Sequence, residues 1–160
     1  MTGKGFTTCL WFDGNAEEAA AYYVSVFKDG RIGRTARYTE AGPGPAGSVM
    51  VVEFEINGQK FVALNGGPAF TFNEAVSFQI PCADQAEADH YWDVLIGDGG
   101  EGGPCGWLKD RFGLSWQVFP AEAIDLVGDP DPERAARATR AMMTMKRIDV
   151  AEMRKAAEGG

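Results

Sequence analysis

Residues 8–27 read TCLWFDGNAEEAAAYYVSVF and residues 77–96 read SFQIPCADQAEADHYWDVLI. Laid over each other at an offset of 69 residues (77 − 8), they describe the same object. Thr8 falls on Ser77, Asn15 on Asp84, Glu18 on Glu87, Ala19 on Ala88, Tyr22 on Tyr91 and Tyr23 on Trp92. In each copy a β-rich run gives way to a polar turn, a capping residue and an amphipathic helix. A matched cap, acid and aromatic pair at one offset indicates a duplicated strand–helix–strands module.

Working outward from the first copy, the spacing predicts a strand over Phe6–Phe12 and a helix over Ala16–Phe27. Asn15 is its expected N-cap, and Glu18 completes a capping-box spacing. Gly30 reads as the helix stop. A strand over Arg34–Thr39, a Gly/Pro loop over Ala41–Gly47 and a strand over Ser48–Ile56 follow. Asn57-Gly58 is the strongest two-residue hairpin signal, with Gln59–Leu64 as partner strand. In the second copy the same reading gives a strand over Val76–Ile80 and a helix over Asp84–Leu95. A glycine-rich loop over Gly97–Gly106 and strands over Trp107–Lys109 and Leu114–Phe119 complete it. The tail, Asp131–Ala157, is helical by composition, with Pro132 at an N1 position and an interruption near Ile148–Asp149. Its stripe of Met142, Met143, Met145, Ile148, Val150 and Met153 is either core or a dimer surface, and the spacing favours core.

Composition narrows the function. The 160 residues carry one His, three Cys and a net charge of −8, with 45% hydrophobic and 24% charged residues. That balance is globular, and the length suffices to bury roughly 70% of the unfolded surface. An acidic chain repels phosphate backbones, so neither nucleic acid nor an anionic membrane is an expected partner. One His excludes a two-His metal helix. Cys9, Cys82 and Cys105 form no CxxC pair and suit a reducing compartment, and no window reaches the length of a membrane span, so the expected location is cytoplasmic.

The phrases LWFDGNAEEAAAYY, INGQKFVALNGGPAFTFNEAVSF and CGWLKDRFGLSWQVFP, followed by AMMTMKRID, resemble the PhnB-like proteins. These belong to the vicinal oxygen chelate superfamily of glyoxalases, bleomycin-resistance proteins and extradiol dioxygenases, and carry the label 3-demethylubiquinone-9 3-methyltransferase. The resemblance runs from about Phe6 to Ala157. It implies an α+β fold: duplicated βαβββ modules whose strands form a cupped mixed sheet, plus C-terminal helices. The expected boundaries are 1–70 and 71–125 for the modules and 126–160 for the extension. It also implies a homodimer.

The superfamily's chemistry uses a metal held by His, Gln or Glu from four strands. Carried over one position at a time, those slots fall on Thr8, Ala63, Ser77 and Gln117. Gln79 and Asn65 are the nearest alternative donors. A hydroxyl, a methyl and neutral amides do not make a tight divalent site. The expectation is therefore an inherited fold with no metal and no cofactor.

Other candidates are weaker. His90 is expected on a solvent face, and without a second His a Ser–His or Cys–His nucleophile is nearly excluded. Cys105, in Gly-Gly-Pro-Cys-Gly-Trp, reads as pocket lining or as a small packed thiol, reactive only with a cation such as Lys109 nearby. Cys9 and Cys82 read as packed. Asn65-Gly66-Gly67 and Gly97-Asp98-Gly99-Gly100 match neither the dinucleotide nor the P-loop spacing, and no glycine-rich strand–helix turn for a nucleotide-type methyl donor is visible. Strand alternation puts Ser77 and Gln79 on one face and Trp116 opposite to Gln117. Phe70, Phe72, Phe78 and Trp107 either line a pocket for a small, partly aromatic ligand or close the core. Three functions are consistent with the residues. One is a metal-free small-molecule binding protein. The second is an enzyme, either the methyltransferase of the family label or a metal-dependent lyase or isomerase. The third is a structural or regulatory dimer with a vestigial pocket.

Overall fold

The strand-forming run at the start of the first repeat becomes β1 (Thr8–Phe12), and the alanine-rich segment after it becomes α1 (Ala16–Val26). These belong to a computed structural model that describes residues 4–160 and divides into two units, the second being Phe72–Gly160. Residues 1–3, assigned above to the first module, lie outside the described residues.

In the first unit, β2 (Arg31–Arg37), β3 (Val49–Ile56) and β4 (Gln59–Asn65) complete a sheet of order β1-β4-β3-β2, with β1 and β4 parallel and the rest antiparallel. Asn57 and Gly58 both take positive φ, 49° and 73°, the requirement of a tight hairpin turn, and bring Ile56 opposite Gln59. Helix α1 buries Ala16, Ala19, Ala20 and Tyr23. Tyr23 stacks on Phe54, which stacks on Phe61, and Leu10, Phe12 and Val52 extend this core.

Two expectations are corrected here. Asn15 stands at the N-cap, but its side chain makes no capping bond; Asn65 Oδ1 accepts from the Ala16 N–H instead, at 2.9 Å. β2 begins at Arg31 and not at Arg34, because almost every residue of this edge strand is exposed and leaves no alternation to read.

The second unit repeats the plan. β5 (Ser77–Cys82), α2 (Gln85–Gly97), β6 (Glu101–Gly102), β7 (Trp107–Lys109) and β8 (Ser115–Pro120) form a sheet of order β5-β8-β7-β6, with β5 and β8 parallel. The strands β1 and β5 start 69 residues apart (77 − 8), and so do α1 and α2 (85 − 16). Here the side chain does cap: Asp84 Oδ1 accepts from Glu87 N at 2.9 Å, and Glu87 Oε2 reaches back to accept from Ala83 N, one residue before the cap, at 2.7 Å. The glycine-rich stretch contains β6, too short to carry a pattern.

The chain then forms α3 (Ala121–Val127), which the sequence reading missed, α4 (Pro132–Met142) and α5 (Val150–Ala157). Asp149 caps α5 through Glu152 N. Ala123, Leu126, Ala138, Ile148, Val150, Met153 and Ala157 pack as one cluster with Met142 and Met145 against it, so most of the methionine stripe is core. Met143 is the exception, 63% exposed. One side-chain amide on α2 holds this cluster twice: Gln85 Nε2 donates to the Ile148 carbonyl at 2.7 Å, and its Oε1 accepts from Val150 N at 2.9 Å.

Candidate functional site

Alternation along the second sheet sorts its side chains. Ile80, Cys82, Leu108, Trp116 and Val118 are buried on the side where α2 packs. Ser77 and Gln79 on β5, Trp107 and Lys109 on β7, and Ser115 and Gln117 on β8 take the opposite face. On that face Gln117 Nε2 donates to Ser77 Oγ at 2.7 Å, and Gln79 Nε2 donates to Gln117 Oε1 at 3.4 Å. Of the predicted site residues, these three meet.

In the first unit the expected slots do not meet. Thr8 sits opposite Phe61 and accepts from Gln59 Nε2 at 3.2 Å, whereas Ala63 sits opposite Leu10. Ala63 is fully buried in the core of its own sheet. Asn65 is a structural latch. Besides the α1 N-terminus it donates to Val49 O at 3.1 Å, and its carbonyl accepts from Tyr38 Oη at 2.5 Å. It also borders a cavity of about 570 Å³ with Asp13, Glu17 and Arg37.

The second unit holds a cavity of about 480 Å³ lined by Pro104, Cys105, Trp107, Leu108, Lys109 and Ser115, with Glu74 and Glu101 at its polar side. Glu74 and Lys109 form an ion pair. The hydrogen bond from Lys109 holds the Glu74 carboxyl below its ordinary pKa, and the same bond holds the Lys109 ammonium above its own. Cys105 occupies the left-handed region (φ 57°), and its thiol lies 3.5 Å from Met143 Sδ. The loop carrying it is pinned to the tail, since Cys105 N donates to Met145 O at 2.8 Å and Gly106 N to Lys146 O at 2.7 Å. Below the loop, buried Asp110 accepts from Phe112 N, Leu114 N and Trp116 Nε1, at 2.8, 3.1 and 2.8 Å.

Of the aromatics considered for this pocket, only Trp107 lines it. Phe78 packs against Trp116, and Phe70 rests edge-on against Trp11 in the first unit. Cys9, expected to be packed, is exposed, while Cys82 is buried and His90 is exposed. Ser115 escaped the sequence reading. The signal was available, because it lies two residues before Gln117 and so on the same face.

A family model described as 3-demethylubiquinone-9 3-methyltransferase matches residues 4–119. The chain belongs to that family. The PhnB protein of Bacillus cereus is 35% identical, with a TM-score of 0.63 over 74% of this chain and 100% of that one. A solved protein of Pseudomonas aeruginosa shares 22% identity over 71% of this chain and 95% of that one, TM-score 0.54. The fosfomycin resistance protein FosX of Mesorhizobium loti shares 15% over 72% and 90%, TM-score 0.51. No curated protein matches. This PhnB-like chain is thus an α+β member of the vicinal oxygen chelate superfamily with the glyoxalase/bleomycin-resistance fold. Helices α3, α4 and α5 lie beyond the matched residues.

The superfamily's divalent ion is a poor fit to this donor set. Ser77, Gln79 and Gln117 are neutral and hydrogen-bonded to one another, and no described group of three or more His, Cys, Asp or Glu could hold a metal. No described helix is long and apolar enough to cross a membrane.

Proposed function

We propose that this PhnB-like chain is a small-molecule binding protein that works without a catalytic metal, taking its ligand against the open face of the second sheet. The observation that carries this reading is the Gln79–Gln117–Ser77 chain of hydrogen bonds. Where a chelating member of the superfamily would aim His, Gln or Glu donors at an ion, these side chains are all neutral and hydrogen-bond to one another. The adjoining cavity of about 480 Å³ falls in the range of small-ligand pockets, and its Pro104, Trp107 and Leu108 walls suit a partly aromatic molecule. We place the protein in the cytoplasm as a homodimer, following the superfamily's habit.

Metal analysis after incubation with Mn(II) or Zn(II) and gel filtration tests this directly. Substoichiometric metal is expected, and one retained equivalent per chain overturns the reading. Calorimetric titration with S-adenosylmethionine is expected to give no binding heat; saturable binding would return the family's methyltransferase label to first place.

A further inference from the structure

The duplicated plan gives each unit the same corner, bounded by the far ends of a parallel strand pair, the first turn of the helix and the loop between the two outer strands. In the second unit the chain itself fills it. Gln85, in the first turn of α2, holds Ile148 and Val150, and the β6–β7 loop holds Met145 and Lys146 through Cys105 N and Gly106 N. Arg147 of the same segment pairs with Asp89 and Asp93 on α2. In the first unit the matching corner is the cavity of about 570 Å³, bordered by Asn65 at the end of β4, Glu17 in the first turn of α1, and Tyr38, Pro45 and Ser48 of the β2–β3 loop.

The frame of this cavity is fixed. Buried Tyr38 donates through Oη to Asn65 O and through its N–H to Ser48 O at 2.8 Å, and its carbonyl accepts from Gly47 N at 2.8 Å. A ligand entering here has no loop to order. The charged side chains of the lining are Asp13, Glu17 and Arg37, and none of the three has an ion-pair partner among the described residues. The contrast lies on one strand: Arg31 and Arg34 of β2 pair with Glu55 and Glu53, whereas Arg37 stands opposite Val49. Arg37 Nη1 donates to Gly47 O at 2.9 Å, which leaves Nε and Nη2 uncommitted, an edge that can grip a carboxylate with two bonds. A simple anion would face two carboxylates here, and a simple cation a guanidinium. We infer that the cavity binds a small zwitterion, with a cationic nitrogen toward Asp13 and Glu17 and an anionic oxygen group toward Arg37. Amino acids are the chemical class. The inference is independent of the site on the second sheet.

The test uses three probes on one six-carbon chain: 6-aminohexanoate, hexylamine and hexanoate. Its flexibility lets the two charges of the first find their own spacing. Each probe is titrated into the 15N-labelled full chain while the backbone amides of Gly14, Gly66 and Gly67, which line the cavity, are followed. 6-Aminohexanoate is expected to bind tightest, with hexylamine and hexanoate each weaker by about fivefold or more, the worth of one ion pair. Arg37→Met is expected to reduce 6-aminohexanoate to the level of hexylamine. The double variant Asp13→Asn, Glu17→Gln, both at exposed positions, is expected to reduce it to the level of hexanoate. If either single-charge probe matches 6-aminohexanoate, one end is not read and the inference falls. It falls equally if either variant binds 6-aminohexanoate as the parent does, or if no probe moves these amides.

Discussion

Gln117 on β8 reaches across the parallel strand pair to donate to Ser77 on β5 at 2.7 Å, while its own oxygen accepts from Gln79 at 3.4 Å. A neutral pair of this kind is a modest stabiliser. Ser77→Ala and Gln117→Ala are each expected to lower stability by about 1 kcal/mol, with a coupling energy of about 0.5–1 kcal/mol in the double-mutant cycle. Urea unfolding of the four proteins measures it; additive effects would mean the contact is not formed in solution.

Asp110 is the polar centre of the turn between β7 and β8, holding two main-chain N–H groups and the Trp116 indole. Asp110→Ala strands these donors and is expected to remove about 3 kcal/mol, or about 6–12 °C of Tm for a chain of this size. Asp110→Asn keeps one acceptor but turns an amide N–H₂ toward a donor, so it recovers only part of the loss. Thermal unfolding followed by near-UV dichroism of the tryptophans reads both.

Gly106 has φ 80°, and a Cβ there would come within 2.7 Å of Phe119 and 2.9 Å of Ile148. Gly106→Ala therefore combines backbone strain with a clash on both sides. A loss of at least about 2 kcal/mol is expected, with lowered amide protection at Cys105 and Gly106 themselves. Hydrogen exchange locates the effect.

Removing the clamp affects the tail before the sheet. Gln85→Ala deletes two hydrogen bonds to the main chain of Ile148 and Val150. About 2 kcal/mol of local stability is expected to go, seen as faster exchange over 145–157 with β5–β8 protection unchanged.

The Glu74–Lys109 pair has a pH signature at the cavity. Glu74 titrates below its ordinary value, so its contribution is present above that value and fades as pH falls through the lowered pKa. Lys109 titrates above its ordinary value, so its contribution is present below that value and fades as pH rises through the raised one. Both groups face solvent, which makes site titration the right observable. In a carboxyl-detected NMR titration, Lys109→Met is expected to move the Glu74 midpoint upward, towards the ordinary carboxylate range, with a backbone hydrogen bond still holding part of the shift; an unmoved midpoint would show that the pair is not populated.

The two βαβββ repeats were legible because their signals are local: alternation, caps, and turns such as Asn57-Gly58. The meeting of Ser77 with Gln117 followed from the same parity once two strands were assumed to pair. What stayed hidden depends on distant partners. Asn15 looks like a cap, but Asn65, fifty residues on (65 − 15), caps the helix. Ala63 was assigned to the pocket through the family resemblance, and the packing around β4 buries it completely. Ser115 shares the parity of Gln117 and its face was readable, but its burial without a hydrogen-bond partner among the described residues shows only once the neighbours are in place. Edge strand β2 gave a late start because both its faces are wet.

The amide of Gln85, which also donates to Asp89 Oδ1 within its own helix at 3.0 Å, meets the tail through main-chain atoms, a carbonyl at Ile148 and an N–H at Val150. The mooring point thus sits in the first turn of α2, inside the stretch shared with the family, while the rope tied to it lies outside that stretch. Because the mooring reads backbone, a tail of altered sequence could still tie up there if it kept an apolar side chain at the Ile148 position. A glutamine at this place in a relative's helix then becomes a searchable sign that its pocket loop, too, is braced from behind.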